Sequence, residues 1–448
     1  MHHLSWISIR NEGRSTLLLA FPLIAGQVGQ MLMGVADTLM IGRLGVVPLA
    51  AATFANNVLH LPLMIGIGMM MAVSIRVSQA RGAKDQAAAR DALRHGLLIG
   101  HIVGIMAVAL AVVLLPFLGH FRQDPDVTEA AGLYFLIVSV SMIPAIGAMA
   151  VKNHADAMNH PWPAFWIVLG GVALNVLLNW ILIYGRFGIP AYGLEGAGIA
   201  TLIARSVALA ALLWWCVGSR HLCGWVPVHW FRRPDWTAVR SLVRVGLPAS
   251  LQLLAEISAF VGATILIGTL GKEALASHQV AITCAAMVFM VPLGLAMALT
   301  VQIGEAWGAG ELKRMRPIVV SGWLMVIAFT VLSANVFLFF NRSIAGWFLT
   351  ESDALQLAAS LLVVAAVFQF SDALQIVSAG ALRGLDDVKG PAWVAFFAYW
   401  VISLPIGWWL AFRQEWGVAG MWWGITIGLT LTALILGVRI WRKTAVSA

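Results

Sequence analysis

The chain has 448 residues, of which 60% are hydrophobic and only 11% charged, with 28 Lys and Arg against 20 Asp and Glu. Its repeated apolar runs of roughly twenty residues or more exclude an ordinary water-soluble core, and a bilayer admits such runs only as helices, whose backbone groups are satisfied internally. The basic excess lies in short loops between the runs, so topology accounts for it and no nucleic-acid partner is expected.

The first run, from about Thr16 to Ile41, is too long for the core of a secretory leader and lacks a small-residue cleavage site, so it is expected to remain as a span. Twelve spans follow in chain order, at roughly 16–42, 48–75, 95–118, 130–154, 163–184, 194–217, 247–270, 275–301, 318–340, 354–380, 392–412 and 419–440. An even number puts both termini on one side. The loops of that side hold about 21 Lys and Arg against about six on the other, which marks it as cytoplasmic. Arg205, inside the sixth span, belongs to neither set. Cys216, Cys223 and Cys284 have neither disulfide-framework nor metal-pair spacing and read as free thiols.

The two halves align over their first two spans at a constant offset of about 226 residues. Pro22 falls on Pro248, Leu44 and Gly45 on Leu270 and Gly271, Gly68 on Gly294, and Gly82 on Gly308; further on, Gly193 and Gly196 fall on Gly417 and Gly420. Six spans per repeat keep the halves in the same orientation. The expected fold is therefore all-α and integral to the membrane, with twelve transmembrane helices in two parallel six-helix repeats around a central cleft. The expected division is 1–217 for the first lobe, 218–246 for a basic cytoplasmic linker, and 247–448 for the second lobe.

Charge inside a span is costly and marks function by default. Asp37 lies in the first span, Glu256 in the seventh and Asp372 in the tenth, and none has a carboxylate at its repeat-related position. A buried carboxylate is stable when protonated or paired with a cation, which is the chemistry of a coupling site. The structural alternative is a salt bridge to Arg205 or a helix cap. Asn175 and Asn179, four apart, share a face of the fifth span. With Asp37 and Thr201 they offer only oxygen donors, a set suited to a hard cation such as sodium, although paired asparagines also bond helices together.

Other signals are weaker. His278 and Gln279, early in the eighth span, are polar enough to face a cleft, while a hydrogen-bonded structural histidine is the more frequent case. The methionines from Met31 to Met71 read as ordinary packing. Trp162, Trp408, Trp409, Trp422 and Trp423 lie near span ends and read as interfacial belts.

The duplicated twelve-span plan, the three acids in their particular spans and the turn from Ala381 to Asp387 (ALRGLDD) resemble multidrug and toxic compound extrusion (MATE) transporters of the NorM branch, over essentially the whole chain. The seventh-span Glu256 separates that branch from DinF-like relatives. The resemblance implies export of organic cations and amphipathic drugs or dyes from the cytoplasm across a bacterial inner membrane. Inward flow of Na+ or H+ would drive it by alternating access. It implies a monomer with both termini cytoplasmic, no cofactor beyond the coupling ion, and no enzymatic activity. Glu256 and Asp372 match the family's second-lobe cation site. Asp37, Asn175, Asn179 and Thr201 resemble its first-lobe site, where relatives sometimes carry an acid at the position of Asn179. Phe368 stands one turn before Asp372 where relatives often have tyrosine, which removes a hydroxyl. Substrate-cleft candidates are thus Asp37, Glu256, His278, Gln279, Phe368 and Asp372.

Two other classes fit the sequence less well. A lipid-linked oligosaccharide flippase needs a cationic cleft for pyrophosphate, and only Arg205 argues for one. An intramembrane enzyme needs a nucleophile and base or a metal cluster, and the acids are spread over distant spans.

Overall fold

The computed structural model of the protein describes residues 5–121 and 123–445. Among the described residues it contains twelve helices long and apolar enough to cross a membrane. They are α1 (Trp6–Gly42), α2 (Val46–Gly82), α3 (Gln86–Phe121), α4 (Pro125–Ala157), α5 (Pro161–Tyr184), α6 (Gly193–Gly218), α7 (Trp236–Gly268), α8 (Lys272–Gly308), α9 (Leu312–Phe348), α10 (Ser352–Gly384), α11 (Lys389–Arg413) and α12 (Gly417–Lys443). Each matches an expected span, and most run further. Hydropathy detects only the lipid-embedded part of a helix. The polar first turns of α1 are held in place by Arg314, whose Nε and Nη2 donate to Glu12 Oε1 (2.6 Å) and Oε2 (3.1 Å). Thr16 adds a bond to Gln302 Oε1 (2.6 Å).

The duplication appears in the packing. In the first half α4 packs against α2, α3 and α6, with α2 on α3 and α5 on α6; in the second α10 packs against α8, α9 and α12, with α8 on α9 and α11 on α12. The turns repeat too. Gly45 and Gly271, just before α2 and α8, have φ of +125° and +118°, a region open to glycine and strained for other residues.

Packing groups the residues differently from the linear division at 217 and 247. One compact unit runs from Ala25 to Ser250; the other joins the chain up to Ile24 with the chain from Leu251 onward. The switch points lie inside α1 and α7, two residues after Pro22 and Pro248, and are related by the repeat offset. A 37-residue helix such as α1 is about 55 Å long, well beyond the hydrocarbon core, so its ends can have different neighbours.

Tryptophans divide as well. Trp162, Trp408 and Trp409 are exposed, in keeping with belts, but Trp422 is 1% exposed and belongs to the core. The three cysteines are free, with Cys216 and Cys284 buried and Cys223 exposed.

After α10 the chain is pinned by Asp387, which accepts from Arg439 Nε (2.5 Å) and Nη2 (3.1 Å) and pairs with Lys443 Nζ (2.9 Å) on the last turns of α12. Burial pushes its carboxyl up, but the bonds from Arg439 and Lys443 outweigh this and hold it below the usual carboxylate range. Asp387→Asn should therefore lower the melting temperature at neutral pH. The two basic partners are 42% exposed. Solvent screening thus reduces the expected loss to about 1–2 kcal/mol, roughly 2–4 °C. A depressed native pKa means that the stabilisation is complete above the unfolded value near pH ~4 and is lost as pH falls through the native one. Thermal scans at both pH values test this, since a difference that persists in acid would rule the ion network out as its cause.

Candidate functional site

Two polar clusters form, one in each unit. In the first, α5 presents Asn175 and Asn179 on one face, both completely buried. Asn179 Nδ2 donates to Asp37 Oδ1 of α1 (2.6 Å) and to Asn175 Oδ1 (3.2 Å). Asn175 Nδ2 in turn donates to Thr201 Oγ1 of α6 (3.3 Å), which donates to the Ala197 carbonyl (3.0 Å). All four residues expected for a first-lobe site are thus one hydrogen-bonded chain. The amide orientations follow from that network. They leave Asn179 Oδ1 buried without a hydrogen-bond partner, an acceptor free for a cation or a donor. Tyr184 Oη donates to the Met40 carbonyl (2.9 Å), fixing α5 against α1 three residues beyond Asp37.

Arg205 lies one turn after Thr201. Its Nη1 donates to Ser141 Oγ of α4 (2.7 Å), and its charge acts on Asp37 and on the Tyr134 hydroxyl. Tyr134 Oη also accepts from Asn56 Nδ2 of α2 (3.4 Å). Five helices therefore contribute to the surroundings of one carboxylate.

In the second unit Glu256 of α7 and Asp372 of α10 are both buried, each 8% exposed, and their charges act on one another. Glu256 Oε2 has no hydrogen-bond partner. Two residues that the sequence reading did not select complete this cluster. Tyr399 of α11 is 1% exposed, with its hydroxyl beside Glu256 and under the charge of both acids. Arg383, three turns beyond Asp372 on α10, is 3% exposed and interacts with Glu256.

The placement of Tyr399 follows from an irregular helix. Residues Phe397–Ser403 of α11 are π-helical, shortly before Pro405, and Trp409–Arg413 is π-helical again. A proline cannot donate to the carbonyl four residues back, and a wider turn accommodates that break; such stretches recur at functional sites. Trp400 Nε1 donates to the Ala255 carbonyl (3.2 Å), so α11 is locked to α7 at the residue before Glu256. The Tyr399 hydroxyl thus enters from a different helix from the one that carries Phe368. Tyrosine itself was the available signal: the chain has only four against 20 Trp and 20 Phe.

The remaining candidates take other roles. Phe368 is buried between Phe260 (ring centroids 6.2 Å apart) and Trp422 (5.3 Å), an aromatic wall that Tyr399 joins through Phe260 (6.1 Å). His278 is 1% exposed, accepting from Trp422 Nε1 at Nδ1 (3.2 Å) and bonded through Nε2 to Thr264 Oγ1 (3.0 Å). It ties α7, α8 and α12 together as a structural histidine, because burial against three helices leaves it no free ring nitrogen. Gln279 is exposed and bonds only within its own helix, to Thr283 Oγ1 (3.4 Å).

Among the described residues no group of three or more His, Cys, Asp or Glu is placed to hold a metal ion. Any cation bound at either cluster would therefore use Asn, Thr, Tyr or backbone oxygens beside one or two carboxylates. That donor set suits hard monovalent or divalent cations and is foreign to zinc or copper.

A family model described as MatE matches twice, over residues 22–181 and 248–409, so its two matches start one repeat offset apart. A probable multidrug resistance protein NorM of Xylella fastidiosa is 34% identical over 440 residues, covering 98% of this chain and 92% of its own. Another of that name, from Bradyrhizobium diazoefficiens, is 35% identical over 435 residues, covering 96% and 93%. Among solved structures, the eukaryotic MATE transporter AtDTX14 superposes with a TM-score of 0.88 at 20% identity over 98% of both chains. The Vibrio cholerae MATE transporter VcmN gives 0.87 at 22% identity, again over 98% of both.

Proposed function

Because this chain belongs to the MatE family of multidrug and toxic compound extrusion transporters, on the NorM branch, we propose that it is a secondary antiporter that exports small cationic and amphipathic drugs from the cytoplasm. Inward flow of Na+ or H+ drives the export. The protein is a transporter and not an enzyme, and needs no cofactor beyond its coupling ion. It works as a monomer in the bacterial inner membrane with both termini in the cytoplasm, the side favoured by the distribution of Lys and Arg.

The observation that carries this reading is the buried pair Glu256 and Asp372, with the buried Tyr399 hydroxyl beside Glu256. Two carboxylates out of water cannot both stay ionised without compensation. A proton, a metal cation or an organic cation each relieves the same excess charge, and only one need be present at a time. Competition of this kind links uptake of one cation to release of another. The chain from Asp37 through Asn179 and Asn175 to Thr201 supplies a second coupling site with one formal charge.

Proteoliposomes loaded with a fluorescent organic cation test the reading. Efflux under an imposed sodium gradient assigns a metal ion as the coupling species, and efflux under an imposed pH gradient assigns the proton. Absence of efflux under both would overturn the antiporter reading in favour of a lipid-linked substrate.

A further inference from the structure

The first-unit cluster holds a permanent cation of its own. Arg205 is placed by α6 one turn beyond Thr201, so it shares the face that supplies the cluster, and its charge acts on Asp37. Yet its guanidinium bonds to Ser141 of α4, while Asp37 is bonded to Asn179 of α5. Two hydrogen-bond partners are thus available on either side of one attraction. Tyr134 and Asn56 complete the polar groups facing this space from α4 and α2.

We propose that Arg205 is a tethered competitor for Asp37, a built-in cation that draws towards the carboxylate when the coupling ion leaves and retires to Ser141 when the ion returns. This inference rests on the antiporter reading and names the device by which that site releases its ion. A half-buried carboxylate held by a single amide bond among packed helices would otherwise keep a cation, since discharge would leave its charge poorly compensated. A guanidinium carried one turn beyond Thr201 on α6 would lower the cost of discharge without leaving the protein, and its positive charge is permanent. The partnerless Asn179 Oδ1 marks where the exchangeable cation finds its second oxygen.

The roles separate in the dependence of efflux rate on coupling-ion concentration. Arg205→Gln should tighten the site by roughly 10–100-fold, seen as a fall in half-saturating ion concentration or, for protons, a rise of about 1–2 units in the pH of half-maximal rate, as loss of a neighbouring charge does. Maximal rate should fall, because release slows. Arg205→Lys should restore the ordinary dependence, and in the double variant Asp37→Asn with Arg205→Gln the shift should vanish. Should Arg205→Gln not fold, Ser141→Ala gives the opposite reading: it frees the guanidinium for Asp37 and should weaken the apparent ion affinity. A slower transporter with unchanged ion dependence, or a shift that survives in the double variant, overturns the proposal alone. Wild-type protein that ignores both gradients fails the antiporter reading instead.

Discussion

Asp372→Asn should reduce gradient-driven efflux by about 100-fold or more, the upper range of coupling free energies between sites, while the protein folds and melts no lower than wild type. The amide fills the same volume in the same buried position on α10, so packing against α8, α9 and α12 is kept. It cannot alternate between charged and neutral, however, so the exchange at Glu256 and Asp372 loses one of its two states. Efflux measured in proteoliposomes beside a thermal scan separates these effects. Undiminished efflux would remove Asp372 from the coupling machinery, and a large fall in melting temperature would turn it into a structural residue.

Gly424→Ala should destabilise the second unit by about 3 kcal/mol or more, the upper range for overpacking. A Cβ at Gly424 would stand 2.2 Å from Gly407 Cα, 2.3 Å from its nitrogen and 2.8 Å from the Ser403 carbonyl oxygen. All three are main-chain atoms, so no rotamer can yield. Without a hydrophobic driving force between helices in lipid, close backbone approach through small residues is the main source of helix association. The seam between α11 and α12 also backs the π-helical stretch that carries Tyr399. Parting it should lower the yield of monodisperse protein. Gly437→Ala on the same helix serves as a control, because its Cβ would meet a Trp323 ring atom at an ordinary 3.8 Å. Equal stability of the two variants would refute the close-packing argument.

Much of this architecture was legible because the bilayer demands it. Twelve apolar runs gave twelve helices, and the offset between Pro22 and Pro248 foretold a duplicated plan visible in the neighbours of α4 and α10. The spacing of Asn175 and Asn179 gave a shared face, which the bond between them bears out. What escaped depended on three-dimensional neighbours. Nothing local distinguishes Trp422 in the core from Trp408 at the surface, since both lie in apolar sequence near a span end. Tyr399 was hidden by the π register of α11, because face-counting at 3.6 residues per turn fails where the turn widens. For His278 a cleft position and a structural role both stayed open, because its partners, Thr264 and Trp422, lie 14 and 144 positions away.

The division of α1 and α7 between units also sets an order of assembly during synthesis. Residues 25–250 are continuous, so a ribosome that has emitted them has delivered one unit whole. The other unit joins the helical turns before Ile24, made before that stretch, to the helices from α7 to α12, made after it. Those early turns wait until Gln302 and Arg314, 286 and 302 positions further on, arrive to receive Thr16 and Glu12. Contacts so distant in sequence close late and slowly. The nascent chain thus carries its own start as a pending connection, and a chain stopped after the first half would leave Glu12 and Thr16 without the partners that anchor the head of α1.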